Sequence, residues 1–336
     1  MESISCIAAA VIAFAVSAVL GKFLIPFLRK IKFGQTIKEN GPVWHKSKQG
    51  TPNMGGFMFI IGSVVGILVG FILLKVLWKE PLGLSAVNSV KLFGGLGMAL
   101  IFGFIGFLDD YIKDVKKRNL GLNAKQKLIM QFFTAVAYLL SVYLAGDTST
   151  TVIFPFFGQL DLGFFYYVIM ILFILFLSNA VNLTDGIDGL AASVTFLVCI
   201  SVLIMSGVLG LLGIGVYASA LAGGLLGFLI YNFHPAKVFM GDTGSMFLGG
   251  SVLALGFGIN LPVLILLFGI IYVVEAMSVV LQVISFQTTG KRIFKMSPIH
   301  HHFELCGWKE EKIVFVFTAI TLVMCVLAYL GVMNRY

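Results

Sequence analysis

Asp109 and Asp110 stand side by side at the end of an apolar run, residues 92–108, with Lys113 one helical turn further on. A carboxylate at bilayer depth costs roughly 2.5–3.5 kcal/mol on insertion scales, so a paired one belongs in the headgroup layer or in a site that needs it. Like charges on neighbouring residues repel unless a cation lies between them, a part that Lys113 or a metal ion would fill. An acidic helix end bathed in interfacial water is the plainer alternative for this stretch taken alone. The stretch Asn182-Leu-Thr-Asp185-Gly186-Ile187-Asp188-Gly gathers amides and acids in a neighbourhood nearly free of other charge. Such a set can read the donor edge of a base or the hydroxyls of a sugar. Equally, a helix beginning near Asp185 would place both carboxylates in its first turn, against orphan backbone donors. Around Asn232, His234, Phe239, Gly241, Asp242 and Gly244 lie a third acid at a helix start, glycines that allow close backbone approach, and an aromatic face for stacking. A turn followed by an N-cap accounts for the same residues as structure. Mg²⁺ takes one or two carboxylates and completes its octahedron with water and phosphate oxygens, a demand that Asp242 meets together with Asp109 and Asp110.

Two more stretches offer cations. Ser297-Pro298-Ile-His300-His301-His302-Phe303-Glu304 sits in a loop with Lys291, Arg292 and Lys295. Three adjacent histidines cannot all face one way, so the triplet alone is no metal site. It can give hydrogen bonds and charge to phosphate oxygens, or be a solvated basic loop. The segment Lys46-Ser-Lys48-Gln-Gly50-Thr51-Pro52-Asn53-Met-Gly55-Gly56 leads glycine-rich into an apolar run, where helix-start amides favour anions. It lacks Walker spacing, and the preference for cytoplasmic cations explains Lys46, Lys48, Lys125 and Lys127 as well. Glu275 lies within an apolar stretch and so is a candidate by position, with no role assigned. The four cysteines show neither CxxC nor Cys/His spacing, which leaves disulfides and zinc out of the reading.

The elements that must position these residues are membrane helices. Of 336 residues, 59% are hydrophobic and 11% charged, and the mean hydropathy is +1.02. A chain of that balance is an all-α polytopic membrane protein. About ten windows have spanning length, at residues 4–28, 55–77, 92–108, 128–144, 164–177, 190–205, 211–231, 246–259, 263–284 and 313–332. The first has no basic flank or cleavage site and reads as a retained span. The whole of 1–336 reads as a single transmembrane domain. Gly62, Gly66 and Gly70, and again Gly223 and Gly227, predict close helix packing. Ten crossings put loops 22–51, 109–127, 178–189, 232–243 and 287–312 on one side, and these hold 19 of the 23 lysines and arginines. Positive charge marks the cytoplasmic side, so both termini are expected on the extracytoplasmic side and the Asp109 pair facing the cytosol. All five histidines lie in the same loops. The longest opposite loop, 146–163, carries Pro155 and glycines and predicts a short hairpin without a catalytic set. A net charge of +8 beside hydrophobic spans points to lipid headgroups and anionic substrates, not nucleic acid. An ion-coupled transporter would place its acids mid-bilayer and show a half-to-half repeat; here the acids gather at one face and no repeat is evident.

Leu108-Asp109-Asp110-Tyr-Ile-Lys113, the Asn182–Gly189 motif, Phe239-Met-Gly241-Asp242-Thr-Gly244-Ser245 and Pro298-Ile-His300-His301-His302-Phe303-Glu304, in this order, resemble the polyprenyl-phosphate N-acetylhexosamine-1-phosphate transferases. The histidine triplet and Gly50-Thr51-Pro52…Met54-Gly55-Gly56 are similar to the branch that transfers phospho-N-acetylmuramoyl-pentapeptide in bacterial cell-wall synthesis. The resemblance spans essentially the whole chain, with one departure at Asn53, where that family commonly has threonine. It implies Mg²⁺ as cofactor with Asp242 as its ligand. It implies Asp109, Asp110 and Asp242 as catalytic acids, Asp109 being the base toward the lipid phosphate, with Lys113 and Lys125 meeting phosphate charge. Gly186, Ile187, Asp188 and Phe239 would line a uracil pocket. Lys48, Asn53, Asn182, Asp185, Asn232, Gln282, His300, His301 and His302 would line the remaining nucleotide-sugar and phosphate path. The implied partners are UDP-MurNAc-pentapeptide, undecaprenyl phosphate, membrane lipids and a second copy in a homodimer, in the bacterial cytoplasmic membrane, giving lipid I and UMP. UDP-GlcNAc is the related alternative donor. The DG-x2-AR signature of CDP-alcohol phosphotransferases is absent, since Asp185-Gly186 is followed by Ile187-Asp188-Gly189-Leu190.

Overall fold

The computed structural model describes residues 2–31, 48, 50–77, 85–116 and 121–335. His45, Lys46 and Lys79 lie outside the described residues. Among the described residues thirteen α-helices follow one another: α1 Glu2–Lys30, α2 Gly56–Leu77, α3 Ala86–Ser89, α4 Gly95–Lys116, α5 Ala124–Leu144, α6 Phe165–Thr184, α7 Leu190–Val208, α8 Leu212–Asn232, α9 Gly241–Gly258, α10 Ile265–Phe268, α11 Ile270–Thr289, α12 Ile299–Leu305 and α13 Glu310–Met333. Among the described residues, nine spans are long and apolar enough to cross a membrane, the third running unbroken over Ala86–Lys113 through a π turn at Val90–Gly94. Exposed Phe23, Val76, Leu144 and Phe315 mark the outside of the bundle as an apolar surface that suits lipid and not water.

The expected span at 246–259 is α9, and it differs in kind. Every residue from Thr243 to Gly258 is buried, so protein surrounds it, as protein also covers most of α8, where most of the other spans keep a face exposed. Its glycines and serines, which leave it short of the hydropathy of a lipid-facing helix, let its neighbours approach to backbone contact. A Cβ on Gly250 would lie 2.6 Å from Ala99 Cα, and one on Gly106 only 2.0 Å from the Asp242 carbonyl oxygen. That second approach carries the Asp109-Asp110 end of α4 to the first turn of α9. The glycine face of α2 packs as its spacing predicts, a Cβ on Gly66 lying 2.5 Å from the Ala9 carbonyl of α1.

Two expectations change. The window at 263–284 is not one helix: a 3₁₀ turn at Pro262–Leu264 and the short α10 precede a break at Gly269, where α11 starts. Asp185 and Asp188 are not in a helical first turn either. α6 runs to Thr184 and α7 starts only at Leu190, after Gly189 at φ +78°, so both acids stand in the connection, where side chains from other loops reach them. The opposite loop does form a hairpin, β1 Thr151–Phe154 against β2 Gly158–Asp161, antiparallel with Thr151 facing Asp161.

Candidate active site

Three helix ends and two loops meet at one end of the bundle. Asp109 and Asp110 come from α4, where Asp109 and Lys113 share a face at i,i+4. Asp242 comes from the first turn of α9. Lys127 comes from the first turn of α5, whose start is fixed by a capping box between Asn123 and Gln126. Asp109, Asp110 and Asp242 each present an oxygen within 4.8 Å of the other two. Lys113 Nζ touches Asp109 Oδ2 at 2.5 Å and Asp242 Oδ2 at 3.0 Å, and Lys127 Nζ bridges the same two oxygens at 2.9 and 2.7 Å. Two acids 133 positions apart therefore share two ammonium groups.

The three carboxylates are held differently. Asp110 accepts from Thr243 N at 2.9 Å, Thr243 Oγ1 at 2.8 Å, Asp242 N at 3.2 Å and Asn53 Nδ2 at 3.2 Å. It does for α9 what an N-cap does, from another helix. Asp109 takes one backbone donor, Leu122 N at 2.6 Å. Asp242 takes the Asn182 amide at 3.1 Å, and that amide also donates to Ser245 Oγ at 2.7 Å. Asp242 and Asp109 are thus the pair whose charge is met by lysine ammoniums, and they suit a divalent cation. The donor set is all oxygen, which suits a hard ion, and the lysines fill the same electrostatic role toward it.

A second set lies alongside. Asp188, His234 and Glu310 also have ligand atoms within 4.8 Å of one another. Lys48 Nζ bridges Asp188 Oδ1 at 2.7 Å and Glu310 Oε2 at 2.6 Å. Asp188 Oδ2 faces His234 Nδ1 at 3.0 Å and accepts from Ala236 N at 3.0 Å. Asn232 ties the two loops: Gly189 N donates to its Oδ1 at 3.1 Å, and its Nδ2 donates to Val238 O at 3.0 Å. Phe239 N donates to Pro52 O and Gly55 N to Phe239 O, at 2.9 and 2.7 Å, so the 50–56 segment is stitched to the loop before α9, with the Phe239 ring half-buried. Ile187 is buried. Burial, with the carboxylates of Asp242, Asp110 and Asp188 around it, pushes the Asp185 carboxyl well above its usual range.

The histidine loop divides its three rings. His300 is wholly buried with Nδ1 3.0 Å from Glu275 Oε2. His301 Nδ1 stands 2.6 Å from Glu304 Oε2, and His302 Nδ1 accepts from Lys295 N at 3.1 Å. Gln282 fastens the preceding strand of chain: its Oε1 accepts from Ile293 N and Phe294 N, and its Nε2 donates to Phe294 O. Of the lysines, Lys113 joins the carboxylates as its spacing suggests, whereas Lys125 is exposed and Lys127 makes the contact. Charge bias already explained Lys127 and turn chemistry the stretch around His234, while Glu310 carried no motif to single it out. The capping box at Asn123 was the one available signal that turns Lys127 inward. Two cavities, of about 490 and 410 Å³, open at the other end of the bundle, and none of these acids lines either.

The family model for glycosyl transferase family 4 matches residues 92–258, the stretch holding Asp109, Asp110, Lys127 and Asp242. Relatives extend the likeness to nearly the full length. The chain is 45% identical over 326 residues to the phospho-N-acetylmuramoyl-pentapeptide-transferase of Clostridium botulinum (strain Alaska E43 / Type E3), covering 97% of this chain and 96% of that one. With the protein of the same name from Pelotomaculum thermopropionicum it shares 46% over 328 residues, 95% and 96% of the two chains. With that of Clostridium kluyveri it shares 46% over 323 residues, 95% and 97%. Similarity of that depth takes in both the acids that cluster and the loops that hold them, and the chain belongs to the phospho-N-acetylmuramoyl-pentapeptide-transferase family.

Proposed function

We propose that this protein transfers phospho-N-acetylmuramoyl-pentapeptide from UDP-MurNAc-pentapeptide to undecaprenyl phosphate, giving lipid I and UMP in peptidoglycan synthesis. The observation that carries the reading is the sharing of Lys113 and Lys127 by Asp109 and Asp242 at one rim of a lipid-embedded bundle. A water-soluble donor and an acceptor that cannot leave the bilayer can exchange a phosphoryl group only at such a rim. The whole chain acts as one catalytic unit in the bacterial cytoplasmic membrane, with this rim on the cytosolic side, both termini outside, and two copies forming a homodimer.

An oxygen of the lipid phosphate attacks the β-phosphorus of the donor, the bond to the UMP oxygen breaks, and UMP leaves with the electron pair. Lys113 and Lys127 neutralise the phosphates as they approach, and Asp109 orients the attacking oxygen. Asp242 and Asp109 would hold Mg²⁺, which when bound supplies charge stabilisation on the pyrophosphate. Asp110 holds the first turn of α9 in register. Gly186, Ile187, Asp188 and Phe239 form the uracil pocket, while Lys48, Asn53, Asn182, Asp185, Asn232, Gln282 and the three histidines border the sugar and phosphate path. Detergent-purified protein with Mg²⁺, undecaprenyl phosphate and each UDP-sugar in turn tests this. UMP release is expected with UDP-MurNAc-pentapeptide and not with UDP-GlcNAc; the reverse preference would sink the reading.

A further inference from the structure

Glu275 on α11 and His300 in the first turn of α12 are both 0% exposed. A carboxylate only accepts, so the His300 Nδ1 that lies 3.0 Å from Glu275 Oε2 carries the hydrogen, and that bond sets the ring's orientation. Among the described residues, the opposite ring nitrogen, Nε2, has no hydrogen-bond partner, and neither has Glu275 Oε1. Leaving such atoms unpaired in a buried place is unfavourable, because neither water nor protein replaces the lost hydrogen bond. A contact kept only for stability would be served as well by an apolar pair.

What Nε2 faces is the backbone of Gly186. A Cβ built on that glycine would stand 2.1 Å from Nε2 and 2.5 Å from Cε1. Gly186 is absent from the glycines with positive φ, so its missing side chain answers to the imidazole and not to backbone conformation. From the other side, the same segment is held by acceptors: Asp188 N donates to Glu310 Oε2 at 3.2 Å and Gly189 N to Asn232 Oδ1 at 3.1 Å.

We propose that Glu275, acting through His300, is a positioning residue for residues 185–189: the carboxylate aligns the imidazole, and the imidazole is the wedge against which the Gly186 backbone is pressed. The pair thereby sets where Asp185 and Asp188 stand relative to Asp242. A group inside the apolar part of the bundle thus governs a loop at its rim. The consequence for donor binding rests on the reading of that loop as part of the nucleotide site; the positioning itself does not.

The test uses the full-length, detergent-purified protein and two independent readouts. Amide hydrogen exchange at Asp188 and Gly189 in the ligand-free protein reports the loop. Glu275→Leu is expected to speed it about tenfold, with α8 amides unchanged. Glu275→Gln, whose amide oxygen still accepts from Nδ1, is expected to stay within about twofold of the parent. The KM for UDP-MurNAc-pentapeptide is expected to rise about tenfold in Glu275→Leu, with the KM for undecaprenyl phosphate unmoved. Unchanged exchange in Glu275→Leu overturns the proposal, and so does a Glu275→Gln protein as perturbed as Glu275→Leu. Faster exchange with an unchanged donor KM keeps the positioning role and removes the loop from the nucleotide site. Should Glu275→Leu fail to fold, the wedge is tested from its other face. Gly186→Ala alone is expected to speed loop exchange, and Gly186→Ala combined with His300→Ala to exchange no faster than His300→Ala alone. Additive damage in that pair overturns the proposal.

Discussion

The two acidic clusters at the rim use nearly the same parts to different ends. Asp109, Asp110 and Asp242 are set by α4 and α9, helices packed so closely at Gly106 and Gly250 that their ends cannot shift independently. Asp188, His234 and Glu310 are set by two loops and the first turn of α13. In the first cluster, backbone donors concentrate on Asp110, and the charge on Asp109 and Asp242 is met largely by lysine tips. In the second, Asp188 accepts from a backbone amide and Glu310 from another, and Lys48 joins both acids across 140 and 262 positions. Helix-borne acids neutralised by exchangeable cations suit phosphate and metal chemistry, which needs fixed charges with replaceable partners. Acids set by loops and a helix start and tied to backbone suit a clasp that gives the binding surface its shape.

Removing an acid from the first cluster should do the largest damage. Asp242→Ala is expected to lower kcat about 10²–10³-fold or more. Asp109→Asn should cost less, because a lipid phosphate is already largely ionised near neutral pH and needs little from a base. Equal residual activity in the two, measured by UMP release, would count against that ordering. Next in size is Gly106→Ala, whose added methyl meets the Asp242 carbonyl. About 1–3 kcal/mol of overpacking should appear as a lower melting temperature together with lost turnover. The neighbouring lysines sharpen the contrast further: Lys127→Ala should reduce kcat about tenfold or more while Lys125→Ala stays within about twofold, an inference from their reach alone. Smallest is the clasp. Lys48→Met should raise the donor KM several-fold, on the order of 1 kcal/mol for one partly exposed ammonium, with kcat nearly unchanged. A kcat collapse there instead would erase the distinction between the clusters.

Much of this was legible in the chain. Membrane class, most of the expected spans, the glycine faces and the gathering of the acids at one end follow from hydropathy and spacing, because lipid tolerates few alternatives to an apolar helix. The motifs also marked Asp109, Asp110, Asp242 and the histidine triplet as residues that could carry chemistry. The break at Gly269 and the placing of Asp185 and Asp188 between helices were not legible, since an apolar run reads alike whether straight or interrupted. Nor were Lys127 over Lys125, the Glu275–His300 pair and the Lys48 bridge. Each of these depends on which residues far apart in sequence come within a few ångströms of each other. Local pattern fixes which stretches become helices and which sides of them are greasy. Only the packing of α4 on α9, and of the loops over both, decides which charges meet, because the energy of a buried charge depends on the partners around it and not on its neighbours in the chain.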